Sequence, residues 1–146
     1  MYQLIQAGIR DLQIFDLEAD RAIELADFVG SLAGGRAEGH RMSEDLFVRL
    51  SCDADLIVNC TPVGMYPHIE DCPVCDLTHV KTGAVIYDLI YNPLTTCFLS
   101  IAQARGLRTI NGLDMLIHQG ALTLEILLGI TPPIALMKEV VTNRAR

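Results

Sequence analysis

Apolar residues along the chain fall alternately into short runs and helical stripes. Tyr2–Ala7 reads as the end of a helix with Gly8 as its stop, and Leu12-Gln13-Ile14-Phe15 as a short strand closed by Asp16. From Ala19 to Leu32, the positions Ala22, Ile23, Leu25, Ala26, Val29 and Leu32 recur at helical spacing. Glycines at 30, 34, 35 and 39 then loosen the pattern, so any strand over Ala37–Met42 is expected to be weak. Ser43 ahead of Leu46, Phe47 and Leu50 predicts a short helix capped by that serine. Leu56-Ile57-Val58-Asn59 is a compact run of the kind found in strands buried on both faces, and Ala84–Asp88 is a second. Between them, 61–82 carries Pro, Gly and His and reads as loop.

A helix from about Thr95 to Arg105 should stop at Gly106, and Arg108–Ile110 follows as a brief strand. A long helix is predicted over Leu113–Leu128. Its stripe consists of Leu113, Leu116, Ile117, Gly120, Ala121, Leu124, Leu127 and Leu128, and Gly129 ends it. Pro132 and Pro133 open a last helix to about Val141, with Thr142–Arg146 expected to fray. Strands alternating with helices predict an α/β layer, a mostly parallel sheet flanked by helices. A chain that opens inside a helix is expected to lack the first strand of its parallel unit.

Composition narrows the function classes. The chain has 146 residues, the size of one domain, with 51% apolar and 20% charged residues. A net charge of −7 argues against binding nucleic acid through phosphate neutralisation. Glu125 and Thr131-Pro132-Pro133 interrupt the greasiest region, short of the roughly 20 apolar residues a membrane span needs. Five cysteines at irregular spacing suit reduced thiols, and Met1–Arg10 has no signal-peptide pattern, so a cytoplasmic location is expected.

Polar residues just past the ends of strands have the clearest reason to be functional, because open α/β sheets bind ligands there. Asp16 ends one strand; in a dinucleotide-binding unit such a carboxylate accepts from ribose hydroxyls, although an Asp after a strand is more often a turn residue. Asn59-Cys60-Thr61-Pro62-Val63-Gly64-Met65 follows a second strand, and Asp88-Leu89-Ile90-Tyr91-Asn92-Pro93-Leu94-Thr95-Thr96 a third. Asn111-Gly112-Leu113-Asp114-Met115-Leu116-Ile117-His118-Gln119-Gly120 joins the last strand to the long helix.

These segments resemble the N-A-T-P-x-G-M, D-x-x-Y-N-P-x-x-T and N-G-x-x-M-L-x-x-Q motifs of the shikimate/quinate dehydrogenases, in the same order. The resemblance covers the C-terminal, nucleotide-binding half of that family. It implies a Rossmann-like domain over 1–146 that lacks the first strand and glycine loop, with the substrate domain absent. By the same resemblance, Asp16, Asn59, Thr61, Ile90, Tyr91, Asn92 and Gly112 would border the cofactor. Tyr91 and Gln119 would meet quinate or shikimate, although Gln119 alone would pass for a solvent-facing helix residue. Family members that use NADP commonly carry Asn-Arg where this chain has Asp16-Leu17, so NAD is expected ahead of NADP; Arg21 is the nearby base that could still meet a phosphate.

The family's catalytic Lys and Asp belong to its substrate domain. Lys81 and Lys138 lie in no matching segment, so no catalytic residue is assigned and the chain alone is expected to be inactive. Its partners would be the small-molecule acid and either a missing substrate domain or a second copy. A non-catalytic quinate sensor or interaction module is the alternative, and a folding-defective fragment a third reading. His68, Cys72, Cys75 and His79 could be drawn as a zinc site, but a variable loop accounts for them better. Cys72 and Cys75 as a redox motif is weaker still, since they open no helix after a strand. His40 and His118 read as structural or solvent-facing, and Cys60 as a small buried residue.

Overall fold

The fold comes from a computed structural model, and the structure describes residues 4, 6–33 and 36–144. The chain divides into two compact units, Met1–Leu50 and Ser51–Arg146. Leu4 and Gln6 are helical and Gly8 has a φ of +96°, as the expected stop requires; Tyr2, Gln3 and Ile5 lie outside the described residues.

In the first unit, strand β1 (Asp11–Asp16) leads into helix α1 (Ala19–Ala33), which returns the chain to strand β2 (Arg36–Arg41). The strands are parallel, in register from Asp11↔Arg36 to Asp16↔Arg41. Parallel neighbours need such a crossover, since a tight turn would reverse the chain. Ala22, Ala26 and Val29 form the buried strip of α1, whereas Ile23 and Leu25 of the predicted stripe are exposed. A helix over two strands covers only a narrow band of small side chains. Strand β2 is not weak: all six of its residues pair with β1. Gly39 accounts for this, because a Cβ there would lie 2.2 Å from the Ala22 carbonyl carbon and 2.3 Å from the Ile23 nitrogen. The glycine that seemed to loosen the strand instead lets helix and strand meet backbone to backbone. Helix α2 (Glu44–Ser51) follows, its Phe47 edge-on to Phe15 of β1 at 5.7 Å.

In the second unit, strands β3 (Leu56–Asn59), β4 (Val85–Asp88) and β5 (Arg108–Ile110) form a parallel sheet with β4 in the centre. Register runs Leu56↔Val85 to Asn59↔Asp88 on one side of β4 and Val85↔Arg108 to Tyr87↔Ile110 on the other. Ala84, Ile86 and Asp88 are completely buried, but β3 is buried on both faces only at Asn59. Helix α3 (Cys97–Ala104) connects β4 to β5 and seats Phe98, Leu99 and Ala102 in the core. Thr96 caps it, accepting from the Leu99 amide.

Helix α4 (Leu113–Leu128) has the predicted bounds and ends at Gly129 with φ +64°. Its stripe is buried only at Leu113, Ile117 and Ala121; Leu124, Leu127 and Leu128 are exposed. Helix α5 (Ile134–Arg144) runs back beside α4, with Met137 against Gly120, and reaches further than expected: Thr142–Arg144 are helical. Among the described residues no helix is long and apolar enough to cross a membrane. The architecture is thus α/β: helices connect the parallel strands except between β3 and β4, where residues 60–84 contain no helix.

Candidate functional site

In the first unit the C-terminal ends of β1 and β2 meet the start of α1. Asp16 makes the turn here: its Oδ1 accepts from the Glu18 amide at 2.9 Å, and its carbonyl accepts from the Met42 amide at 2.7 Å. An open hollow of about 360 Å³ lies at this corner, lined by Leu17, Glu18, Ala19, Asp20 and Arg41. Two carboxylates line it against a single guanidinium. Arg21 is turned to Glu18, 3.2 Å away, in an exposed pair. Arg41 was not foreseen as a lining residue, because β2 looked too weak to bring it here. Further along the same strand, the Arg36 guanidinium bonds Glu38 and holds its carboxyl below the usual range.

The second unit gathers the other motif segments around a buried carboxylate. Asp88, at the end of β4, is fully buried. Its Oδ1 accepts from Asn59 Nδ2 and from the Ile90 amide, both at 3.1 Å, and its Oδ2 accepts from Thr96 Oγ1 at 2.6 Å. Asn59 passes the connection outward, its Oδ1 accepting from the Thr61 amide at 3.0 Å and the Thr61 hydroxyl at 2.7 Å. Thr61 Oγ1 in turn accepts from the Val63 amide. Asn59 and Thr61, read as cofactor-lining residues, are thus joined to each other and, through Asn59, to Asp88. Burying a charge is costly unless donors surround it, and here three donors do so. Asp88 and Thr96 were quoted in the sequence without a role; the signal available was an Asp closing a buried apolar run, with a Thr eight positions on.

Beyond β4 the main chain of 89–92 is held from several sides. Leu89 donates to the Asn59 carbonyl, Gly112 donates to the Ile90 carbonyl, and Tyr66 donates to the Asn92 carbonyl. A Cβ on Gly112 would sit 1.9 Å from the Leu89 carbonyl oxygen, so only glycine fits. Ile90 is buried on this strap, while Tyr91 is 42% exposed and Asn92 faces outward. The strap therefore presents a phenol ring and an amide on rigid backbone. Asn111 reinforces it, donating to the Leu94 carbonyl at 2.9 Å and accepting from the Leu113 amide to cap α4. Gln119 is exposed on α4, its carbonyl taken by the Thr123 hydroxyl. A hollow of about 340 Å³ opens at this end of the sheet, lined by residues that include Leu94, Thr95, Asn111 and Asp114 but not Tyr91 or Gln119. Tyr87 of β4 is half-buried, and its phenol is pushed above its ordinary pKa by burial and then by the charge of Asp114.

Both lysines are occupied. Lys81 Nζ donates to Asp55 at 2.6 Å and to the Asp53 carbonyl at 2.7 Å, and Lys138 Nζ pairs with Asp114 at 2.6 Å. Among the described residues no three His, Cys, Asp or Glu side chains converge as a metal ion would require. His79 instead meets Ser51 Oγ at 2.7 Å, and Cys72 donates to the Val74 carbonyl. His40 meets Gln13, consistent with a structural role.

Residues 112–142, which take in α4 and most of α5, match the family model described as the shikimate 5'-dehydrogenase C-terminal domain. A shikimate dehydrogenase (NADP(+)) of Syntrophomonas wolfei is 47% identical over 98% of this chain and 49% of its own length. Among solved structures, quinate dehydrogenase from Corynebacterium glutamicum in complex with NAD superposes with a TM-score of 0.83 at 30% identity, over 97% of this chain and 49% of that one. A ligand-free 5-ketofructose reductase of a Gluconobacter strain superposes with a TM-score of 0.84 at 29% identity, over 97% and 50% of the two chains. This chain thus spans about half the length of the curated relatives it matches. With the three motif segments gathered beyond parallel strands of a Rossmann-like fold, the chain belongs to the shikimate/quinate dehydrogenase family.

Proposed function

We propose that residues 1–146 act as a nicotinamide-dinucleotide-binding domain of this family. The observation that carries the reading is the strap at 89–92, fixed by Asp88 from below and by the glycine backbone of Gly112 alongside. A flat nicotinamide ring needs such a wall, with main-chain groups that cannot drift. Ile90, Tyr91, Asn92 and Gly112 would line it, with Asn59 and Thr61 shaping the adjoining loop, and Asp16 would face the adenosine ribose. When bound, the nucleotide supplies the hydride acceptor for oxidation of one ring hydroxyl of quinate or shikimate. Tyr91 would border that acid and Gln119 would hydrogen-bond a hydroxyl.

NAD is favoured over NADP in this reading. Glu18 and Asp20 line the hollow next to Asp16 and outnumber its one guanidinium, Arg41, and Arg21 is drawn to Glu18. Like charges a few ångströms apart disfavour a phosphate there. The name of the Syntrophomonas relative carries NADP(+), so the preference is a claim about this chain's own corner. The test is fluorescence titration of the chain with NADH and NADPH. NADH is expected to bind at least about tenfold tighter, a difference of about 1.4 kcal/mol. Asp16→Asn with Leu17→Arg should narrow or reverse that ratio. Equal or tighter NADPH binding by the unmodified chain would overturn the preference, and binding of neither nucleotide would overturn the domain reading.

General acid–base chemistry needs a group within hydrogen-bond reach of the hydroxyl proton. Both lysines are engaged by carboxylates, so binding without turnover is the expected behaviour of this chain alone. The same pairing favours a second reading, a non-catalytic quinate-binding module. Calorimetric binding of quinate that persists with no nucleotide bound would support the module over the dehydrogenase. Five cysteines at irregular spacing suit a reducing, cytoplasmic setting in either case.

A further inference from the structure

Four asparagines occur in the chain, at 59, 92, 111 and 143, and only Asn111 precedes a glycine. That pairing carries chemistry of its own. A main-chain nitrogen can attack the side-chain amide of the residue before it and close a cyclic imide, and a following residue without a Cβ hinders the attack least. Asn92 is barred from the reaction, because Pro93 has no N–H. In the folded chain both reacting groups of the Asn111–Gly112 pair are held. The nucleophile, the Gly112 nitrogen, donates to the Ile90 carbonyl at 3.0 Å. The leaving group, Asn111 Nδ2, donates to the Leu94 carbonyl at 2.9 Å, while Oδ1 accepts from the Leu113 amide at 3.2 Å. Attack therefore requires the strap at 89–92 to part from Gly112 first. Strand β5, which carries the chain to Asn111, is a three-residue edge strand among the described residues, a kind of element that opens locally while the rest stays folded.

We propose that Asn111–Gly112 is a self-modification site, in which local release of the strap from Gly112 lets the Gly112 nitrogen attack the Asn111 side chain and convert it to aspartate and isoaspartate. The N–Cγ bond forms, the Cγ–Nδ2 bond breaks, and Nδ2 leaves as ammonia with the proton that the Gly112 nitrogen gives up. Water then opens the imide. Addition at Cγ leaves aspartate, and addition at the main-chain carbonyl leaves isoaspartate, so the net change is one water taken up and one ammonia released. The consequence falls on the site described above. With aspartate, a carboxylate oxygen faces the Leu94 carbonyl with no proton between them, and that tie is lost. The cap on α4 survives, because a carboxylate still accepts from the Leu113 amide and suits a helix N-terminus. Isoaspartate lengthens the main chain beside Gly112, where the Leu89 carbonyl leaves no room even for a Cβ, and so displaces the strap itself.

The test is incubation of the intact chain at pH 8 in buffer, in urea below the unfolding transition and in urea that unfolds it fully, followed by mass-spectrometric peptide mapping that separates aspartate from isoaspartate. In buffer, both products are expected at 111, formed at least about tenfold more slowly than in the unfolded chain, because the strap must open first. That rate should stay flat through low urea, since a local opening exposes little surface. Asp88→Asn removes the charge that holds the Ile90 amide and should quicken the reaction at 111 about tenfold, while Asn143, which precedes Arg144, is unchanged. Three results would each overturn the proposal. They are no product at 111 in buffer once the unfolded chain is fully converted, equal rates in the folded and unfolded chains, and a rate that climbs with urea in step with global unfolding. The urea series decides the matter even where Asp88→Asn does not fold.

Discussion

Asp88 shows how a polar residue can sit at zero exposure and still hold a site together. All of its recorded bonds are to groups that would otherwise be stranded in the core: a side-chain amide, a main-chain amide and a hydroxyl. Asp88→Asn keeps the shape but removes the charge and turns an N–H toward one donor. A hydrogen bond to a charged group is worth about 1.5–3 kcal/mol, so the variant should lose roughly that much stability in urea titration. A loss below about 0.5 kcal/mol would show that the network is dispensable. At this scale the sequence was partly legible. It marked the right segments, because polar residues beyond buried strands stand out. It did not separate Asn59, which faces inward to Asp88, from Tyr91, which faces out, since both sit in motif runs and the partner that turns Asn59 inward lies 29 positions away.

Among the helices, α4 was the most accurately bounded and the most misread in its burial. Leu113 to Leu128 was read from the apolar stripe and from the closing glycine at 129. Periodicity, however, gives the direction of a face and not what covers it. The first half packs on the sheet through Leu113, Ile117 and Ala121, and the second half leaves Ile126, Leu127 and Leu128 between 62% and 73% exposed. Ile117→Ala should therefore cost about 2–5 kcal/mol of stability, while Ile126→Glu should change it by less than about 0.5 kcal/mol. Thermal denaturation of the two variants checks the contrast. Comparable losses would mean that the outer half of the helix is covered after all. Strand β2 was misread in the opposite sense. Gly39 is a poor strand residue by propensity, and only the close approach of Ala22 explains its place.

For the molecule as a whole, the alternating pattern was enough to give an α/β class with parallel strands, but not its division into two units. That division depends on which strands find each other, and β1 pairs with β2 while β3, β4 and β5 form their own sheet. A pair of strands under one narrow helical strip has less to lose on opening than a three-stranded sheet whose central strand is fully buried at Ile86 and Asp88. Hydrogen exchange in graded urea should release the β1 and β2 amides at lower denaturant than those of β4. Release of all of them together would show a single cooperative body. Among the described residues, α4 and α5 carry most of the exposed leucines.

Positions 59, 88 and 96 are far apart along the chain yet share one carboxylate. None can leave without orphaning the others, so thermal breathing at the ends of β3 and β4 and at the first turn of α3 must be concerted. A small molecule resting on the outer side of the 89–92 strap would damp that shared motion. Its presence would register at the Leu99 amide, deep in the core, as well as at the surface it touches.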